Sequence, residues 1–192
     1  VNNIINPGNP VIFMKVGVHA KESLEDIIQR KLKEINDEGI AMWGYGGGTC
    51  HPSRAVQPFA HEQAELGNPI YLCMEKMVSH HYAEPERASE YSLDGVNWKK
   101  VPKGINVLGS RYALVIDSLK EEEFSLPVAR SVVAAGPSMG KRGSEYISGR
   151  VDKACLRMLP TADIPTPPEE KVANIGLIAR LRDPYAVFLR NT

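Results

Sequence analysis

The stretch VIFMKVGVHAKESLEDIIQRKLKEINDEGIAMWGY, residues 11–45, decides how the rest of the chain is read. Val11 to Val18 is rich in β-branched and aromatic side chains and closes near Gly17, which predicts a strand. Ser23 then stands three residues before Asp26, a capping-box pattern with aspartate in the place of the usual glutamate. Leu24, Ile27, Ile28, Leu32 and Ile35 recur at helical spacing, and Gly39 supplies a left-handed stop. Asp26 and Arg30, four apart, predict an ion pair on the wet face, so one stripe of this helix can cover a sheet while the other meets water. Ile40 to Tyr45 resumes as a strand that runs into a glycine-rich loop.

Outward from this unit the chain reads mostly as sheet. Pro58 and Gly67 bracket a short helix, and Ile70 to Val78 is a strand candidate. Asp94-Gly95, between the short alternations of Tyr91 to Trp98, is the turn chemistry of a hairpin. Ile105 to Leu119 predicts a long strand interrupted at Gly109, and Val128 to Ala135 another strand. Ile147 to Leu159 has helical spacing. Residues 160–168 contain four prolines and predict a surface crossing. The last segment, 169–192, predicts a helix through Val172, Ile175 and Ile178 and then a strand through Tyr185 to Leu189. The expected architecture is a single α+β domain over 1–192, with an extended arm over 1–10. Its sheet is mixed and largely antiparallel, covered by the N-terminal amphipathic helix and two or three shorter helices.

Composition narrows the class of function. With 192 residues, 43% of them hydrophobic, the chain is long enough for one sizeable core. Basic and acidic residues number 23 each, so no overall field selects nucleic acid or an anionic membrane, and any basic patch must be local. Cys50, Cys73 and Cys155 are odd in number and lack a CxxC pair, which argues against a disulfide framework or zinc knuckle. A reducing, cytoplasmic setting is expected, with no secretory pattern at the start and no membrane span.

The best candidate site is the run from Trp43 to Pro52. On a strand, Trp43 and Tyr45 point to the same face, with Gly44 between them leaving room above the backbone. Gly46, Gly47 and Gly48 allow a ligand close to main-chain N–H groups, the basis of phosphate cradles. Thr49, Cys50 and His51 add a hydroxyl, a thiol and an imidazole. Packing accounts for the same residues in another way: rings in the core, a glycine turn, and Cys50 as a small apolar residue. If Cys50 is a nucleophile with His51 in the catalytic region, adjacency places the two side chains apart, and a base would have to come from His19, His61, His80 or His81.

A second segment, Gly136 to Arg150, is glycine-rich and basic. It fails the Walker spacing, since three residues separate its glycines and Arg142 replaces the hydroxyl, but Lys141, Arg142 and Arg150 favour an anion. A solvated face accounts for the same charges. His61 and Glu65 share a helix face, yet no metal-ligand signature is present, and neither a metal nor a cofactor is assigned.

Together these features predict binding, with or without turnover, of a small anionic, nucleotide-like ligand. Trp43 and Tyr45 would stack on its ring, while the Gly46 to Thr49 backbone, Lys141, Arg142 and Arg150 would hold its charge. Two alternatives stand beside this: a module for single-stranded or modified nucleic acid, with the same rings stacking on bases and Arg111, Arg142, Arg150 and Arg157 on phosphates, or a non-catalytic interaction subunit or inhibitor whose aromatic, glycine-rich surface meets another protein. Oligomeric state has no signature in the sequence.

Overall fold

Ser23 caps the first helix through its Oγ, which accepts the Asp26 N–H at 3.2 Å. Gly39 ends the helix at φ 81°, donating its N–H to the Ile35 carbonyl at 2.9 Å. The computed structural model describes residues 7–46, 49–81, 83–148 and 151–192, with the backbone alone for 79–81. Among these residues nine strands form one mixed sheet accompanied by three helices.

The elements are β1 (Pro10–His19), α1 (Leu24–Glu38), β2 (Ala41–Tyr45), α2 (Gln57–Glu65), β3 (Tyr71–His81), β4 (Glu90–Ser92), β5 (Trp98–Lys100), β6 (Tyr112–Leu126), β7 (Ser131–Val133), α3 (Gly143–Tyr146), β8 (Lys153–Met158) and β9 (Ala173–Arg190). A π-helical turn, Pro52–Val56, leads into α2, and a 3-10 turn, Val128–Arg130, precedes β7. The strand order is β2-β6-β9-β3-β1-β8-β7, while β4 pairs with β5 and with the far end of β9. Only β1 and β3 run parallel among the named pairs.

Alternation along the strands divides the core between two faces. Ile12, Met14, Val16, Trp43, Tyr45, Leu114 and Ile116 face a cluster that takes in Ile27 and Ile28 of α1 and Val56, Phe59 and Ala60 around α2. On the opposite face Val11, Phe13, Ala154, Leu156 and Met158 pack with Leu126, Val128 and Ala162. Met42, Ala113, Val115 and Val187 meet Ala88, Ile105 and Val107. Each such large apolar side chain, once fully buried, contributes about 1.5–3 kcal/mol.

Several expectations are corrected by this arrangement. Residues 153–158 form the strand β8, antiparallel to β1, and not part of a helix over 147–159. β8 alternates, with Ala154, Leu156 and Met158 in one cluster and Lys153, Cys155 and the exposed Arg157 on the other face, of which Cys155 joins the second cluster. Residues 173–190 are one strand, in place of a helix followed by a strand. The helical spacing of Ile175 and Ile178 comes from a bulge: Glu75 pairs with Ile175 and its neighbour Met74 with Leu177, leaving Gly176 extra. The extra residue turns both isoleucines to the same face. β6 starts only at Tyr112, since residues 105–111 run irregularly around Gly109 at φ 59°. On α1, Leu32 is exposed while Lys31 and Glu34 are buried, and Arg30 pairs with Glu22 and Glu34 rather than with Asp26.

The proline-rich segment is anchored by a buried cation. Arg130 pairs with Glu170 at 2.9 Å and donates to the carbonyls of Thr161, Ile164 and Pro165. One guanidinium therefore holds both ends of a segment whose prolines leave it few hydrogen bonds of its own.

Candidate functional site

Where β1, α1 and β2 leave a gap, a cavity of about 490 Å³ opens. Its walls combine Met14, Val16 and Ile27 with Trp43 and Tyr45. The two rings do share a face, and the face is interior: Trp43 is 3% and Tyr45 2% exposed. They form part of the cavity wall and not an open platform. Space beside Gly44 is already used, because a Cβ there would lie 2.4 Å from Ser110 Oγ and 3.0 Å from Val107 Cγ1. At Gly46, by contrast, a Cβ would meet nothing within 4 Å.

The cavity carries more positive than negative charge. Lys15, Arg30, Lys31, Arg111 and Lys153 line it, against Glu22 and Asp152. Glu22 is paired with Arg30, and Asp152 with Lys153 at 2.9 Å. Lys31 donates to Glu34 at 3.0 Å and to the Asn106 carbonyl, while burial lowers its pKa to about 8 against the opposing pull of Glu34. Among the described residues, Lys15 and Arg111 have no carboxylate within ion-pair distance. Arg111 lies 5.7 Å from the centroid of the Tyr112 ring, at the cavity side of β6. His19 Nε2 is 3.0 Å from the Leu108 carbonyl and 3.2 Å from Ser110 Oγ, which ties β1 to the irregular segment before β6.

Beyond Gly46 the candidate residues serve a different purpose. Gly47 and Gly48 lie outside the described residues, and so does Arg150. Cys50 adopts φ 56°, and its carbonyl accepts the Tyr45 hydroxyl at 2.6 Å. His51 turns away to cap the π-helical turn: its Nδ1 accepts the Arg54 N–H at 3.3 Å, and its ring packs on Tyr112 and Phe188. Partial burial and the Arg54 cation hold its pKa below the ordinary value. The Cys50 thiol lies 3.8 Å from the Cys155 sulfur. His19 and His61 are engaged elsewhere, His61 edge-on to Tyr185, and the side chains of His80 and His81 lie outside the described set.

The stem of the second glycine-rich segment, at Ala134 and Ala135, shares a core cluster with Cys50. A Cβ on Gly136 would stand 4.0 Å from that of Ala55. Lys141 and Arg142 are exposed and do not line the cavity, and Arg142 donates to the Ala129 carbonyl at 3.3 Å. The cations that line the cavity with Trp43 and Tyr45 are instead Arg30, Lys31, Arg111 and Lys153, with Lys15 on the lining strand β1. Lys153 falls opposite Met14 and shares its face once residues 153–158 are a strand. The sequence marks Arg111 only as a phosphate contact of the nucleic-acid alternative.

Among the described residues no group of three or more His, Cys, Asp or Glu side chains could hold a metal ion, and no helix is long and apolar enough to cross a membrane. No family model, curated protein or solved structure matches the chain.

Proposed function

We propose that the chain binds a small anionic molecule with a planar or apolar part, of the nucleotide kind, in the cavity between β1, α1 and β2. One observation carries this reading: an apolar cavity that includes Trp43 and Tyr45 is also lined by Arg111, a cation without a carboxylate partner among the described residues. Its volume of about 490 Å³ falls within the roughly 300–1,000 Å³ of small-molecule sites. Both carboxylates that line it are already neutralised by a neighbour, so an incoming anion meets uncompensated positive charge.

The test is a titration with a nucleoside monophosphate, its parent nucleoside and inorganic phosphate. Trp43 and Trp98 are the two tryptophans, so Trp98→Phe leaves Trp43 as the sole indole reporter. The monophosphate is expected to change Trp43 emission and raise the melting temperature, with about 2.7 kcal/mol of stabilisation at 100 times the dissociation constant. Arg111→Ala should weaken binding about 10-fold or more, the scale of one charge-assisted hydrogen bond. No response to any of the three compounds defeats the proposal. Binding of oligonucleotides that collapses with added salt would favour the nucleic-acid alternative.

A further inference from the structure

We propose that Cys50 and Cys155 form a reversible dithiol–disulfide site that reacts with low-molecular-weight disulfides, Cys50 being the attacking thiol and Cys155 the resolving one. The two sulfurs are 3.8 Å apart although the residues are 105 positions apart in sequence. A disulfide holds its sulfurs at about 2.05 Å, so closure requires the sulfurs to approach by under about 2 Å. Access is unequal. Cys50 is half-buried on the segment after β2, whereas Cys155 is 2% exposed in the middle of β8. A reagent therefore meets Cys50 first, and Cys155 can be reached only through it.

The reaction balances in two exchanges. The Cys50 thiolate attacks one sulfur of an external disulfide R–S–S–R, forming a Cys50–S–S–R bond, and R–S⁻ leaves to take up the proton that Cys50 released. Cys155 then loses its proton and attacks the Cys50 sulfur of the mixed disulfide. The Cys50–Cys155 bond forms, and the second R–S⁻ departs with that proton. Two protein thiols are oxidised, and one external disulfide is reduced to two thiols.

The surroundings suit a switchable contact. Cys50 belongs to a segment with few strand partners, and its carbonyl is held by the Tyr45 hydroxyl at 2.6 Å. Cys155 is fixed by β1, opposite Ile12. Oxidation would thus tie the segment following β2 to β8, across the sheet from its own neighbour β6. Cys73 is an internal control: it is fully buried in a separate cluster from that of Cys50 and Cys155. The site does not depend on the ligand proposed for the cavity.

The experiment treats the reduced chain with oxidised glutathione and follows intact mass and thiol-mapped peptides. Wild type is expected to lose two hydrogen atoms in mass, with the Cys50 and Cys155 peptides cross-linked, Cys73 still a thiol, and full reversal by dithiothreitol. Cys155→Ser should instead accumulate one glutathione on Cys50, and Cys50→Ser should remain unmodified. If Cys155→Ser does not fold, Cys155→Ala serves the same purpose, and the wild-type cross-link map needs no variant. A wild-type protein that keeps glutathione on Cys50 without forming the cross-link overturns the proposal, as does a Cys73 that reacts as fast as Cys50.

Discussion

The phenol of Tyr45 donates to the carbonyl oxygen of Cys50 at 2.6 Å, so the last residue of β2 holds the segment that leaves it. Burial raises the Tyr45 pKa well above the ordinary value, which keeps the donor protonated into the alkaline range. Tyr45→Phe retains the ring and removes the bond. It should cost about 1–3 kcal/mol in urea unfolding and speed alkylation of Cys50 in the folded protein. A variant as stable as wild type, with unchanged alkylation, would show that the bond contributes nothing.

Gly44 and Ser110 form a second close relationship. A Cβ at position 44 would lie 2.4 Å from Ser110 Oγ and 3.0 Å from Ser110 Cβ. Gly44→Ala is expected to destabilise by about 1–3 kcal/mol, as overpacking does. Ser110→Gly removes two of the three close atoms, leaving Val107 Cγ1 at 3.0 Å, and should restore part of that loss when combined with Gly44→Ala, a non-additivity that chemical unfolding of the four proteins measures. Simple addition of the two losses would place the clash elsewhere.

Lys31 gives a pH-dependent prediction. Its folded pKa is lowered from 10.5 to about 8, with desolvation the largest cause. Below about pH 8 both states hold the proton and the burial penalty is fully present. Between about 8 and 10.5 the folded protein has released a proton that the unfolded chain still holds, so stability from this group rises with pH, by about 3 kcal/mol across the window. The unfolding free energy of wild type minus that of Lys31→Met should therefore increase over this range. A flat difference contradicts the shift.

Arg130 is the residue that fixes the proline-rich segment. Arg130→Lys keeps the charge but cannot reach Glu170 and three carbonyls at once. The variant should lose about 3 kcal/mol, because Glu170 and the carbonyls are left poorly paired. Limited proteolysis should begin within residues 160–168. Unaltered cleavage kinetics would mean that the prolines alone hold the segment.

The sequence by itself determined the elements whose signals are local. Ser23 and Gly39 delimit α1, Asp94 organises the β4–β5 turn by accepting the Val96 and Asn97 N–H groups, and the period of two in Ala41 to Tyr45 turns Trp43 and Tyr45 to one face. Each depends on residues a few positions apart. Tertiary structure alone decided which face is interior, and so converted two same-face rings from a platform into a cavity wall. β8 was hidden because Lys153 to Met158 is a run of six residues, and Cys155 interrupts the polar face that Lys153 and Arg157 begin, so the apolar positions of 147–159 fit helical spacing as well. β9 was hidden because the Gly176 bulge gives a strand the three-residue spacing of a helix. The meeting of Cys50 with Cys155, and of Arg111 with Lys153 around one cavity, follows from the strand order. That order is set by long-range pairing energy, and no window of neighbouring residues contains it.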